Sequence, residues 1–280
     1  MERYRVAVIG TGASAAFAFK ACKDYGCSEI DVYGKFSENF PQGAFWLKWV
    51  PSDVLRDTNA KKEIISIAHL GTPKDYLVKQ WGHGVESNTI NSSFAYDNHE
   101  EYGYNQKIVW TRMWEGANFI DDRGMFTDLA LIDLKSNYDF VFHTFPSTVS
   151  LQTHSTVEIP TVSFHAESQP LFHTLKLMNR KFELVNQIIY DGRRETSVVR
   201  ISCLFGRVNI EFIQKADPSR LFTEGVVHGK FMDIVPNTQE LTDVDNLVEG
   251  VYPVGRYAQW SRHMLSHEAY KRVMVILTGG

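Results

Sequence analysis

The fold is decided at the start of the chain, by residues 4–35, which read YRVAVIGTGASAAFAFKACKDYGCSEIDVYGK. Residues 4–9 are a short apolar run rich in β-branched side chains, which predicts a buried strand. Small and apolar residues recur at helical spacing over residues 13–23, and Gly26 is expected to end that helix. A second such run, residues 29–33, completes strand, helix and strand in the length that a parallel βαβ unit requires. The stretch therefore predicts an α/β fold with a parallel sheet.

Three small residues at the first turn form a G-x-G-x-x-A fingerprint: Gly10, Gly12 and Ala15. Gly10 permits the sharp turn out of the strand, Gly12 lets the backbone approach a pyrophosphate, and Ala15 allows close helix packing. The amides of Ala13 and Ser14 lie at the helix N-terminus, whose positive dipole end attracts phosphate. The fingerprint predicts dinucleotide binding in a Rossmann-type domain; the alternative is a glycine turn with a purely structural role.

The second strand does not carry the acid that usually accompanies this fingerprint. An Asp or Glu at its end would bind the adenosine ribose, but Gly34 stands at that position. Asp31 has the opposite strand parity, so it is a poor substitute. Lys35 and Glu38 would reach the ribose only through a rearranged loop. Gly34 with Lys35 would also tolerate a 2′-phosphate, which keeps NADP open as the ligand.

The rest of the chain predicts a β-rich insertion in the nucleotide-binding domain. Between residues 147 and 235, β-branched runs alternate with turn signals, which predicts a small antiparallel sheet. We therefore expect a discontinuous nucleotide domain, 1–146 and 236–280, and a substrate lobe, 147–235. The predicted helices are 59–82, 104–116, 124–134 and 266–277, and the further predicted strands are 138–144, 157–164, 182–190, 196–204, 208–213 and 251–254.

Composition narrows the class of protein. The chain has 280 residues, of which 44% are hydrophobic, enough for a full core in one globular unit or two close lobes. A formal charge of -4 gives no general attraction to nucleic acid or anionic membranes. Three cysteines without a paired framework fit a reducing cytoplasm, and no run is apolar enough to span a membrane. We expect a soluble, unprocessed cytoplasmic protein.

Three further segments, in chain order, carry a resemblance to a known family. They are Gly43-Ala44-Phe45-Trp46, the strand YDFVFHTFP at residues 138–146, and GRYAQW at residues 255–260, followed by Met264. Together with the fingerprint they resemble the flavin-binding family that includes UDP-galactopyranose mutases and amine oxidases. About half of the chain, all in the nucleotide domain, shows this likeness. For the last segment, an ordinary strand-to-helix connection is the alternative.

The resemblance implies FAD as the cofactor. It also implies that the last segment runs past the pyrophosphate and the ribityl chain, with Arg256 adding charge near the phosphates or the flavin. The residues that it and the fingerprint assign to the cofactor site are Gly10, Gly12, Ala13, Ser14, Ala15, Lys35, Gly43, Ala44, Phe45, Trp46, Thr144, Gly255, Arg256 and Met264.

Catalytic residues are not identified by the sequence. Lys48 and Lys79 are candidates for the flavin-side lysine of amine oxidases, although neither lies in a segment that aligns. His263 and His267 are four residues apart, which comes nearest to the spacing of metal ligands on a helix. We expect them to lie at a solvated helix end instead, and no metal is predicted. His143 is expected to be a hydrogen-bonded core histidine.

Two groups of side chains have more than one interpretation. The tryptophans are expected in the core, although Trp46 could stack on the flavin and a planar substrate. The arginines of the β-rich lobe are expected to be solvated; if the substrate were attached to DNA, they would be the first candidates for phosphate contacts. These arginines are Arg193, Arg194, Arg200 and Arg207.

The functional expectation is a FAD-dependent oxidoreductase or lyase that oxidises a C–N or C–O bond of a small-molecule or nucleobase-linked substrate. The chain also resembles small flavoproteins of bacteriophages, which implies an amino-acid adduct of thymine in phage DNA as one substrate, with C–N cleavage and the host cytoplasm as the location. The alternatives are a mutase-like enzyme acting on a nucleotide sugar and a non-catalytic nucleotide-binding module.

Overall fold

A computed structural model of the chain describes residues 4–37, 45–82, 98–120, 128–146, 155–165, 186–220, 226–235, 238, 249–261 and 264–279. The chain forms two sheets. None of the helices in the described ranges is long and apolar enough to cross a membrane.

The first sheet has five strands, and every neighbouring pair is parallel. β1 lies at its centre, and the strands on either side are reached by crossovers in opposite directions. Such a switch point leaves a crevice at the carboxyl ends of the central strands. In spatial order the strands are β13 (Val251–Pro253), β7 (Phe140–His143), β1 (Arg5–Ile9), β2 (Glu29–Tyr33) and β6 (Asn118–Ile120).

Helices cover both faces of the first sheet. On one face Val6, Val8 and Val32 pack against helices whose apolar side chains include Phe17, Trp110 and Val273. On the other face Ala7 and Ile9 contact Leu131. The helices of the chain are α1 (Ala13–Tyr25), α2 (Ser52–Thr58), α3 (Pro73–Trp81), α4 (Gln106–Met113), α5 (Asp128–Lys135) and α6 (Glu268–Thr278), with a 3-10 turn at Pro218–Arg220.

The second sheet has eight strands and is larger than the sequence predicts, because strands from residues 46–105 join it. It is also mixed, since β4 pairs in parallel with β9 while the other described pairs are antiparallel. In spatial order the strands are β12 (Val227–Ile234), β8 (Thr156–His165), β11 (Arg207–Phe212), β10 (Val198–Leu204), β9 (Gln187–Gly192), β4 (Lys62–Gly71), β5 (His99–Asn105) and β3 (Trp46–Leu47).

The predicted opening unit and the α/β class are confirmed. The largest error is the helix predicted over residues 59–82, which is β4 followed by α3. Helix 104–116 shortens to α4 because residues 104 and 105 still belong to β5. Residues 182–185 lie outside the described ranges, and the rest of that predicted strand is β9. The exact division at residues 147 and 235 stays a prediction.

Candidate nucleotide site

The carboxyl ends of the parallel strands bring the fingerprint together with the later segments. The amide of Gly10 donates to Tyr33 O at 2.9 Å, which fixes the turn to the end of β2. On the other side, Thr144 at the end of β7 donates its amide to Ile9 O at 3.1 Å and its hydroxyl to the same oxygen at 2.9 Å. One edge of the sheet therefore presents residues from three strands.

The two fingerprint glycines face different surroundings. Gly10 has a φ of +113°, and a Cβ there would lie 2.3 Å from Thr144 Oγ1, so the turn requires glycine. Gly12 is exposed, has an ordinary φ of -82°, and a Cβ there would meet no atom within 4 Å. Open space thus lies beside Gly12, while Gly10 is locked into the sheet.

Helix α1 begins without a side-chain cap. Gly12 is its first flanking residue and supplies no side-chain cap hydrogen bond, and the first turn carries no acid. Ala13 and Ser14 are half-exposed, whereas Ala15 is buried against the sheet. Amides at such a helix end suit an anion, because they carry the positive end of the helix dipole.

The Gly255 segment reaches the start of α1. Gly255 has a φ of +90°, and a Cβ there would lie 2.4 Å from Ser14 Oγ. The next residue, Arg256, is 37% exposed, and its Nη1 lies 3.6 Å from Asp233 Oδ1 on β12. This segment therefore joins the nucleotide edge of the first sheet to the second sheet.

The end of β2 explains why no acid stands at position 34. Gly34 has a φ of +142°, and a Cβ there would lie 3.0 Å from Thr11 Cγ2. Thr11 also donates to Lys35 O at 3.1 Å, so the β2 end is held against the fingerprint turn. Asp31 accepts from Tyr138 Oη and Asn118 Nδ2, each at 2.6 Å, as expected of a carboxylate on the opposite face.

The positions of the other residues assigned to the cofactor say less about a bound ligand. Trp46 packs against Gly103, where a Cβ would clash with its ring, and against Ile65 of β4, so it contributes to the second sheet. Phe45 and Met264 are half-exposed. Gly43 and Ala44 lie outside the described residues. A flavin contact for these residues stays a prediction.

The two candidate lysines have different environments. Lys79 Nζ lies within hydrogen-bond distance of four acceptors: Asp191 O at 2.9 Å, Arg193 O at 2.8 Å, Thr196 Oγ1 at 3.0 Å and Val198 O at 2.5 Å. Burial lowers its pKa, although the charge of Asp191 opposes the shift. Lys79 thus fastens α3 to the β9–β10 turn. Lys48 is half-exposed, 2.9 Å from Glu101 Oε2.

The predicted histidines also find structural contacts. His143 is fully buried, and its Nδ1 lies 3.0 Å from Phe145 O, as expected of a core histidine. His267 packs its ring beside Trp49, and burial lowers its pKa. Its suggested partner, His263, lies outside the described residues.

Carboxylates accompany three of the four arginines considered for DNA contacts. The pairs are Arg193 with Asp191, Arg194 with Asp75, and Arg200 with Glu211. Arg207 lies 3.4 Å from His165 Nε2. Contact with DNA through this group stays a prediction.

Two buried polar contacts of the second sheet are not expected from the sequence: Gln80 with Asp233, and Glu211 with Arg200. Gln80 Nε2 donates to Asp233 Oδ2 at 2.9 Å, and Gln80, Asp233 and Glu211 are buried. Burial raises the pKa of Glu211, against the opposing charge of Arg200. The available signal was a charged residue inside the apolar run VNIEF at residues 208–212.

The fold of the chain matches the folds of solved FAD-binding flavoenzymes. Among solved structures, this chain is similar to reduced UDP-galactopyranose mutase, with a TM-score of 0.57 and 10% identity over 100% of this chain and 95% of that one. It is similar to glycine oxidase from Bacillus cereus, with a TM-score of 0.51 and 12% identity over 99% and 95%.

A third similar structure is CtdE in complex with FAD and a substrate, with a TM-score of 0.53 and 12% identity over 99% of this chain and 80% of that one. No protein-family model and no curated protein sequence matches the chain. At these identities the likeness shows the fold, so function must be argued from the site.

Proposed function

We propose that this chain is a FAD-dependent oxidoreductase that oxidises a C–N or C–O bond of a small substrate. The observation that carries the proposal is the open space at Gly12, the N-cap residue of a helix to which it supplies no side-chain cap. A dinucleotide pyrophosphate fits this space and this charge. FAD is favoured over other dinucleotides because the similar folds include a protein with FAD bound.

The chain offers distinct groups to each part of the cofactor. The amides of Ala13, Ser14 and Ala15 would face the pyrophosphate, with Gly255 closing the other side. Thr144 holds the Gly10 turn in place. Lys35, at the end of β2, is the nearest candidate for the adenosine end, and Phe45, Trp46 and Met264 are the candidates for the flavin ring. When bound, FAD supplies a hydride acceptor, and the protein supplies orientation and a dry environment.

Within this class, oxidation of an amine is the more specific proposal. The similar structures include glycine oxidase, but the fold alone does not define a substrate. Cleavage of a C–N bond with a lyase outcome would be one form of this reaction. The similar structures named above do not point to a bacteriophage source or a modified thymine, so these form no part of the proposal.

Colour tests the cofactor directly. The purified protein, or the protein after incubation with FAD, is expected to absorb near roughly 450 nm. A colourless protein that takes up no added FAD contradicts the proposal.

Anaerobic mixing then tests the reaction. We expect an amine or an alcohol to bleach the bound flavin without another electron donor. Bleaching by no substrate in a broad amine and alcohol series, together with turnover of UDP-galactose only after prior reduction, would replace the oxidoreductase with a mutase-like enzyme.

A further inference from the structure

Two of the three cysteines lie at the C-terminal end of α1. Cys22 is in the last turn of the helix and is fully buried, and Cys27 follows the helix and is half-buried. The third cysteine, Cys203, lies on β10 among apolar side chains of the second sheet. None of these thiols has a role in the proposed function, although two of them share one helix end.

The way in which α1 ends brings Cys22 and Cys27 together. Gly26 has a φ of +93°, and its amide donates to Lys23 O at 3.1 Å. The amide of Cys27 donates to Cys22 O, also at 3.1 Å. These two hydrogen bonds around a left-handed glycine form a Schellman motif, whose first and last residues frequently have their side chains in contact. In this chain those two residues are the cysteines.

The two thiols are hydrogen-bonded to each other. The Cys22 thiol donates to the sulfur of Cys27, and both side chains pack in the apolar cluster between α1 and the first sheet. This hydrogen bond lowers the pKa of Cys27, against the opposing effects of burial and of the Asp139 charge. Burial raises the pKa of Cys22 well above its ordinary value. A partly accessible sulfur that ionises more readily therefore lies against a buried thiol.

A dithiol that reacts with peroxide needs one sulfur of each kind. The attacking sulfur must be accessible and able to ionise, because the thiolate is the nucleophile, and a second thiol must lie beside it to resolve the sulfenic acid. Cys27 meets the first condition and Cys22 meets the second. Cys203 meets neither, since burial raises its pKa to about 11 and the other two cysteines belong to a different apolar cluster.

We propose that Cys22 and Cys27 form a modification site, at which hydrogen peroxide produces a reversible disulfide within the chain. The Cys27 thiolate attacks the O–O bond, which gives a sulfenic acid on Cys27 and releases hydroxide, and the proton lost by Cys27 converts that hydroxide to water. The Cys22 thiol then attacks the sulfenic sulfur, the S–S bond forms, and the displaced oxygen leaves with the Cys22 proton as a second water. Two thiols are thus oxidised to one disulfide while one peroxide is reduced to two waters.

The disulfide would close the turn at the end of α1 that is remote from the nucleotide edge. The helix has 13 residues, so about 20 Å separates this turn from Gly12 at a rise of 1.5 Å per residue. We therefore expect oxidation of the pair to leave FAD retention unchanged. The modification site does not rest on the proposed function.

The test treats the intact protein with hydrogen peroxide, removes the peroxide, and only then adds denaturant and an alkylating reagent. Peptide mapping by mass spectrometry identifies which sulfurs reacted in the folded protein. We expect a peptide with a Cys22–Cys27 disulfide, lighter by two hydrogens, in which neither cysteine is alkylated. Dithiothreitol is expected to restore both alkylation sites, and Cys203 is expected to remain a thiol throughout.

Three variants assign the roles of the sulfurs. Cys27→Ser is expected to abolish the disulfide and to slow the loss of thiols to peroxide about tenfold, because the accessible sulfur is removed. Cys22→Ala is expected to leave Cys27 as a sulfenic acid that dimedone labels. Cys203→Ser is the matched control and is expected to form the disulfide at the wild-type rate. If Cys22→Ala fails to fold, Cys27→Ser decides the question.

Three results would overturn the proposal: two unmodified thiols after peroxide treatment, a disulfide between two molecules in place of this one, or oxidation of Cys203 as fast as that of Cys27. The outcome is separable from the fate of the flavoenzyme. A colourless protein that forms this disulfide would refute the flavoenzyme and keep the modification site. A yellow protein whose cysteines all stay reduced would keep the flavoenzyme and refute the site.

Discussion

Gly10 and Gly12 stand two residues apart in one turn but are constrained for different reasons. At Gly10 the backbone conformation and the contact with Thr144 exclude a side chain, and Thr144 cannot turn away without losing its bond to Ile9 O. At Gly12 the protein itself leaves room for a side chain. Under the proposed function, a bound pyrophosphate rather than folding would account for glycine at position 12.

This contrast gives a paired prediction. Gly12→Val is expected to abolish FAD retention, while the free energy of unfolding of the flavin-free protein changes by at most about 1 kcal/mol. Gly10→Ala is expected to lower that free energy by ~3 kcal/mol, through strain at positive φ and overpacking. Flavin absorbance after gel filtration and urea unfolding measure the two effects. Retained flavin in Gly12→Val would refute the phosphate turn.

Asp191 gives a pH-dependent prediction. Its burial alone would raise the pKa, but the hydrogen bonds from Arg193 and the charge of Lys79 outweigh burial and lower the pKa below the ordinary 3.8. The unfolded chain then binds the proton more readily, so the stability from this carboxylate is present above pH 3.8 and is lost as pH falls through the lowered pKa.

We therefore expect Asp191→Asn to cost about 3 kcal/mol at neutral pH, and the gap to wild type to narrow in acid. Urea unfolding at several pH values measures it. Glu158→Gln is the control, because Glu158 forms an exposed pair with Lys230 worth less than about 1 kcal/mol. A gap for Asp191→Asn that stays constant below the ordinary pKa would contradict the assignment.

At the scale of elements, β4 shows where local patterns fail. The apolar residues Ile64, Ile65, Ile67 and Ala68 fit helical spacing as well as strand spacing, so the sequence favoured a helix. The strand forms because β4 pairs with β9, more than a hundred residues later, as well as with β5. No local pattern contains that pairing, whereas the βαβ unit is local and was predicted correctly.

The same distinction applies to the candidate site. Gly10, Gly12 and Gly255 could be proposed from sequence because a glycine turn is a local motif. Gln80 and Asp233 are far apart along the chain, and only the packing of α3 on the second sheet brings Gln80 Nε2 within 2.9 Å of Asp233 Oδ2. The contact between Gly34 and Thr11, which disfavours a side chain at position 34, likewise depends on the packed turn.

The close approach of the backbone at the ends of β4 and β9 gives a prediction at this scale. A Cβ on Gly192 would lie 2.4 Å from Thr72 O, and backbone atoms cannot move aside cheaply. Gly192→Ala is expected to destabilise the protein by ~3 kcal/mol. Gly229→Ala, on the edge strand β12 with only an ordinary contact at 3.6 Å, is the matched control and is expected to be neutral. Equal effects in urea unfolding would contradict the β4–β9 packing.

At the scale of the whole molecule, the chain crosses repeatedly between the two sheets. It leaves the first sheet after β2, returns at β6, leaves again after β7 and returns at β13. Ion pairing of Arg256 with Asp233 and the Tyr257–Met232 hydrogen bond then join the sheets near the nucleotide edge. Opening either sheet would therefore remove partners from the other.

This connectivity predicts one cooperative unfolding transition for the flavin-free protein. Native-state hydrogen exchange in rising urea should show peptides of β1 and β10 reaching the same free energy of opening. β10 pairs with β9, β9 pairs with β4, and β4 precedes β6 and β7 of the first sheet in the chain, so the two sheets are expected to open together. Gly10→Ala, a change in the first sheet, should lower the opening free energy of β10 as much as that of β1. If residues 147–235 instead opened first and were insensitive to Gly10→Ala, the lobe would be an independent unit, as the boundaries predicted from sequence imply.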